Sequence, residues 1–130
     1  MSREEKKPDY DPDQCMRARS EAVRAMEELL KGNIGEKDLS GAVWKAIEIF
    51  QGYQFETYQG LCFTYTVKGY EIFVDRKDKS ITKSSVDIAL MKAVELQGNV
   101  SGPKKLKVFG ASYLYPMFIK FGIIKTEGKV

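Results

Sequence analysis

The chain has 130 residues, with 21 Lys and Arg against 18 Asp and Glu for a formal charge of +3, and it contains no histidine. That absence excludes Ser-His-Asp and Cys-His pairs, an imidazole general base and histidine-ligated zinc or haem, while two cysteines, Cys15 and Cys62, are too few for a four-thiolate zinc site. No apolar run approaches the roughly 20 residues that span a bilayer, so no membrane span, metal or cofactor is expected.

Composition shifts at both ends. Residues 1–10, MSREEKKPDY, and the last six, KTEGKV, are charged and poor in aliphatics, which predicts flexible tails (1–10 and 125–130) around one compact unit over 11–124. Every aromatic except Tyr10 lies between Trp44 and Phe121. No charged, apolar and small-residue leader precedes the two thiols, which points to a reducing cytoplasm.

A first helix is predicted from Asp11, a cap, and Pro12, suited to the first helical position, with Cys15, Met16, Ala22, Val23, Met26, Leu29 and Leu30 at helical spacing until Gly32 and Asn33 stop it. A second runs from about Leu39 to Gln51, with Val43, Trp44, Ile47 and Phe50 on one side and Gly52 at its end. From Tyr53 the period becomes alternating. Leu61, Phe63, Tyr65 and Val67, then Tyr70, Ile72 and Val74, predict an antiparallel hairpin. With Lys68-Gly69 as a two-residue turn, Val67 faces Tyr70, Tyr65 faces Ile72 and Phe63 faces Val74. Tyr53, Phe55 and Thr57 are candidates for a short third strand. A third helix is expected to start near Thr82 to Ser85, where Ser84 stands three residues before Asp87 as in a capping box, and to end before Gly98. Its nearly all-apolar composition predicts a central position. After a turn or short helix near Lys105 to Phe109 and a break at Gly110, a fourth helix is predicted over Ser112 to Phe121, with Pro116 tolerable only near its first turn. The fold class is α+β: an N-terminal helical hairpin, a central antiparallel β-hairpin or small three-stranded sheet, and two C-terminal helices.

The charge is uneven. Residues 1–67 hold 9 basic and 12 acidic side chains, a net −3, whereas residues 68–130 hold 12 and 6, a net +6. Arg76, Lys77, Lys79 and Lys83 crowd the link into the third helix, and Lys104, Lys105 and Lys107 crowd the loop after it. Cationic side chains near a helix N-terminus, with Ser84 and Thr82 hydroxyls beside them, supply the parts of a phosphate cradle in RKDKSITKSS. Against this, loop lysines commonly only solvate a surface, and Asp75 and Asp78 can neutralise part of the first cluster. Two loops at opposite ends of one helix would stand roughly 20 Å apart by helix length, so whether they form one patch depends on packing.

Two further patterns compete. Leu106, then Gly110-Ala111-Ser112, then a helix beginning Tyr113-Leu114-Tyr115 follows the general outline of a helix-turn-helix, but Pro116 and the apolar Met117, Phe118, Ile119 and Phe121 leave few side chains to read base edges. Tyr113, Tyr115 and Phe118, with Phe109 and Phe121, could form a stacking platform or a dimer interface, set against the simpler reading that such aromatics are core. The Asp9, Asp11 and Asp13 spacing lacks the glycine and glutamate of a calcium loop. There is no phosphate-binding GxxxxGK[ST], GxGxxG or GxSxG motif.

An enzyme would need a site built from groups such as Tyr65, Glu71 and Asp75, which nothing in the pattern singles out. The sequence therefore favours a small cytoplasmic nucleic-acid-binding or regulatory accessory domain that contacts phosphates through Arg76, Lys77, Lys79, Lys83, Ser84, Lys104, Lys105 and Lys107. The alternative is a homo-oligomeric protein-interaction module without nucleic-acid binding, using the apolar hairpin face or Tyr113, Tyr115 and Phe118.

Overall fold

The N-terminal half begins as a helical hairpin because two apolar stripes need each other. In the computed structural model, which describes residues 12–32 and 35–125 but not the side chains of 12–15 and 36, α1 spans Pro12–Lys31 and packs on α2, Glu36–Ile49. Met26 on α1 and Val43, Trp44, Ala46 and Ile47 on α2 are buried, while Met16, at the start of the predicted stripe, is exposed. The α2 helix starts three residues before its predicted beginning, with Gly35 as its N-cap, and Gly52 at φ +84° turns the chain away after it. The Asp11 cap, the side chains of the calcium-like aspartates and most of the two tails lie outside what the structure describes.

Five short strands follow. β1 (Phe55–Glu56) pairs antiparallel with β2 (Cys62–Phe63), while β3 (Tyr65–Lys68), β4 (Glu71–Val74) and β5 (Ile81–Thr82) form a separate antiparallel sheet in that order. The expected hairpin exists with its register displaced: Lys68 faces Glu71, Val67 faces Ile72 and Tyr65 faces Val74. Gly69 is the reason. At φ +61° it occupies the first central position of the turn, as a type II′ connection requires, so the tight pair is Gly69-Tyr70 rather than Lys68-Gly69. The inward set keeps Tyr65, Ile72 and Val74, and Tyr70 moves out of the ladder to become exposed. The Tyr53–Thr57 segment does contribute a strand, but to the two-stranded sheet with Phe63. The third strand beside the hairpin is instead Ile81–Thr82.

Because β5 holds the chain extended through Thr82, α3 begins at Lys83 and runs to Glu95, with the Thr82 hydroxyl accepting from the Ser85 amide at 3.2 Å. Ser84 is therefore not the cap; it lies exposed in the first turn. Val86, Ala89, Leu90 and Ala93 are buried, but Ile88 and Val94 face outward, so α3 is half-embedded rather than enclosed. A 3₁₀ turn, Pro103–Leu106, precedes α4, Ala111–Lys120. Pro116 sits beyond the first turn of α4 and leaves the Ser112 carbonyl without its helical donor. One core joins all parts: Phe50, Phe63, Tyr65, Leu114, Phe118 and Phe121 are buried together, with Phe50 edge-on to Phe121 at 5.3 Å. The Tyr65 hydroxyl donates to the Ile47 carbonyl at 2.7 Å, which satisfies the one polar atom this ring brings inside. None of the described helices is long and apolar enough to cross a membrane.

Candidate functional site

Four segments meet around one cleft. The first is the turn between β1 and β2. Thr57, a buried polar residue, receives the Leu61 amide on its hydroxyl at 3.0 Å, donates its own amide to the Leu61 carbonyl at 2.8 Å and accepts from Gly60 at 2.9 Å. These three bonds pin the base of the turn and leave Tyr58 and Gln59 at its tip. The second is the turn after β4, carrying Lys77, whose amide donates to the Val74 carbonyl. The third is the loop 101–105 ending in the 3₁₀ turn, and the fourth is the amino end of α4. Together they enclose about 590 Å³, with Tyr58, Lys77, Lys104, Lys105, Ser112 and Tyr113 among the walls. An adjoining cavity of about 350 Å³ shares Lys77, Lys104, Ser112 and Tyr113 and adds Lys107 and Phe109.

The two basic loops thus converge, although helix length alone would separate them. They are brought together by the path of the chain: β5 carries the first loop along the sheet, and α4 returns the second beside it. The close approach occurs at Gly110. A side chain there would stand 2.6 Å from the Ile81 side chain, and its φ of +85° is in the left-handed region, so only glycine lets the start of α4 lie against β5.

The amino end of α4 is electrostatically open. Gly110 offers no side-chain cap, no acidic residue occupies the first turn, and the Ser112 amide has no partner among the described residues. Ala111 donates to the Val108 carbonyl and Tyr113 and Leu114 to that of Gly110, so the positive end of the helix dipole beside the cleft keeps one amide without a compensating oxygen. Tyr113 is 8 % exposed and packs edge-on against Phe63, yet its hydroxyl bonds to none of the described residues and is not enclosed, so it opens on the cavity. Tyr115 is buried beside it and donates to the Val100 carbonyl at 3.1 Å, anchoring the basic loop. Burial, reinforced by the neighbouring Tyr58, pushes the Tyr115 hydroxyl above its ordinary pKa and keeps it a donor.

The predicted cationic residues divide. Lys77, Lys104, Lys105 and Lys107 surround the cleft, and among the described residues none of them pairs with a carboxylate. Asp75, expected to neutralise the first loop, instead accepts from the Thr64 amide and hydroxyl. Lys79 sits with its ammonium 4.7 Å from the Phe109 ring centroid beside the cleft. Arg76 is exposed and lines neither cavity. Lys83 departs most from the expectation: its ammonium bridges Ser40 at 2.9 Å and Asp87 at 3.2 Å, and Ser40 donates to Asp87 at 2.7 Å. Asp87, read as one half of a capping box, is the anchor of this triad.

Tyr113, Tyr115 and Phe118 are 8, 6 and 0 % exposed, so they belong to the molecule's own core rather than to an available face. The helix-turn-helix outline fails for the same reason: a 3₁₀ turn stands where the first helix would be, and α4 turns Leu114, Met117 and Phe118 inward. Sequence reasoning missed Tyr58 and Ser112; an aromatic beside Gln59-Gly60, outside the alternating apolar pattern, was the available signal.

A separate groove of about 470 Å³ is lined by Arg19, Arg24, Glu27, Tyr53 and Lys120. There Arg19 is already engaged, donating to the Gln51 carbonyl at 2.9 Å and lying over Phe50 and Tyr53, and Glu27 opposes the positive charges. Among the described residues no group of three or more Cys, Asp and Glu could hold a metal ion. No protein-family model, curated protein or solved structure matches the chain.

Proposed function

We propose that this protein is a small nucleic-acid-binding or regulatory accessory domain that contacts phosphates through the basic cleft. The observation that carries the reading is the meeting of Lys77 with Lys104, Lys105 and Lys107 at an uncapped helix start, without a carboxylate partner among the described residues. Several ammonium groups without a carboxylate partner among the described residues, around a helix start with one unpartnered amide, suit the anionic backbone of a polymer, and their separate loops suit contacts to successive phosphates. Binding rather than catalysis is favoured because the chain has no histidine. A cytoplasmic location accords with its two cysteines, of which Cys62 is a free, exposed thiol.

The test is a fluorescence-anisotropy titration of labelled DNA and RNA, single- and double-stranded, at several salt concentrations. Affinity should fall linearly in log salt, and the Lys77→Glu, Lys104→Glu double variant should bind at least tenfold more weakly at low salt. Absence of binding by the wild type at low salt would refute the proposal. The second reading, a homo-oligomeric interaction module, draws on Ile88 and Val94, exposed by 58 and 42 % on the outer side of α3. Light scattering that gives a dimer mass, reduced to monomer by Ile88→Glu, would favour it.

A further inference from the structure

The geometry points to a single strand as the ligand of this cleft, with Tyr58 as the platform on which one base stacks; the inference rests on the nucleic-acid reading above. Tyr58 is 63 % exposed although it is a large aromatic, and it stands at the tip of a turn whose base is held by three hydrogen bonds at Thr57. Its only ring contact among the described residues is Tyr115, at 5.6 Å and 84° between planes. A perpendicular neighbour covers at most one face of a ring, so at least one face of Tyr58 stays open to a planar group.

Tyr58 lines the same cavity as Lys77, Lys104 and Lys105. A nucleotide has two parts, a flat aromatic base and an anionic phosphate, and this cleft offers a ring for the first and ammonium groups for the second. Ser112 and Tyr113 line the same cavity and carry donors suited to a phosphate, and Gln59, next to Tyr58, carries an amide suited to a base edge. A duplex fits poorly. Its bases are stacked on one another and present no face to Tyr58, while α4, the helix that starts at this cleft, turns Leu114, Met117 and Phe118 into the core and offers few side chains to read a groove there. Stacking tolerates every base, so little sequence preference is expected.

The experiment compares three labelled probes of equal length at one low salt concentration: oligo-dT, the same strand with abasic sites, and a duplex. Oligo-dT should bind the most tightly. Tyr58→Ala should weaken it about tenfold, to the level of the abasic strand, whereas Tyr58→Phe should bind as the wild type does. A 2-aminopurine placed in the strand should be quenched on binding the wild type and not on binding Tyr58→Ala. Thermal melting of each variant checks that the turn change leaves the fold intact. If oligo-dT and the abasic strand bind equally and Tyr58→Ala changes nothing, or if the duplex binds most tightly, the single-strand inference is overturned while the nucleic-acid reading stands. If no probe binds, both fall.

Discussion

Two helix starts in this molecule carry lysines beside Ser and Thr, and only one of them has unspent charge. At α3 the Thr82 hydroxyl caps the first turn and Lys83 is held by Ser40 and Asp87. At α4 the N-cap is glycine, the Ser112 amide is open, and the surrounding Lys77, Lys104 and Lys107 make no ion pair among the described residues. The α3 start has more of the ingredients of a phosphate cradle in a single run of sequence, yet its groups satisfy each other. The α4 start is assembled from separate loops and leaves its groups to the solvent. Proximity along the chain favours mutual neutralisation; what remains for a ligand is the charge whose natural partners are elsewhere.

The comparison can be broken most severely at Gly110. Gly110→Ala combines a left-handed φ with a clash against Ile81 and should cost roughly 2–4 kcal/mol, read as a lowered urea midpoint. Because the same contact sets the start of α4 beside Lys77, nucleic-acid affinity should fall with it; a fully stable Gly110→Ala protein would mean that α4 and β5 are not docked as described. A smaller effect is expected at Tyr115. Replacing it by Phe removes the bond to the Val100 carbonyl and should cost about 1 kcal/mol.

The same residue gives a pH dependence with a definite sign. Since folding raises the Tyr115 pKa above 10.0, the folded state favours the protonated hydroxyl, and its contribution is complete below pH 10. As pH rises past that value the unfolded chain releases the proton first, so stability falls. Tyr115→Phe should show a shallower alkaline decline in urea midpoint than the wild type. At α3 the changes should be smaller still. Lys83→Ala removes a partly exposed pair and should cost about 0.5 kcal/mol by chemical denaturation, with nucleic-acid affinity unchanged within twofold.

Much of the fold was legible because its signals are local. Pro12 and Gly32 bracket α1, Gly110 and Gly122 bracket α4, and the alternation from Phe63 to Val74 marks strands. The errors came where long-range pairing overrode a local choice. Gly69 had to take the first position of its turn, which moved the turn by one residue and each cross-strand partner by two, and the pairing of Ile81–Thr82 with β4 made Thr82 the cap instead of Ser84. For the site, Lys77, Lys104, Lys105 and Lys107 could be named from their clustering, but their meeting depends on Gly110 against Ile81, a contact no spacing reveals. The engagement of Lys83 was hidden for a related reason: Ser40, its partner, comes from α2, far back in the chain.

The salt dependence of oligo-dT binding, compared among the wild type, Lys77→Ala, Lys104→Ala and Lys83→Ala, tests the central claim most directly. Each cleft lysine that neutralises a phosphate should contribute about 0.7 to the slope of log affinity against log salt, so Lys77→Ala and Lys104→Ala should each flatten it by about that amount. Lys83→Ala should leave it unchanged. A slope that responds to Lys83 and ignores Lys77 and Lys104 would contradict the assignment of the open charge to the α4 cleft.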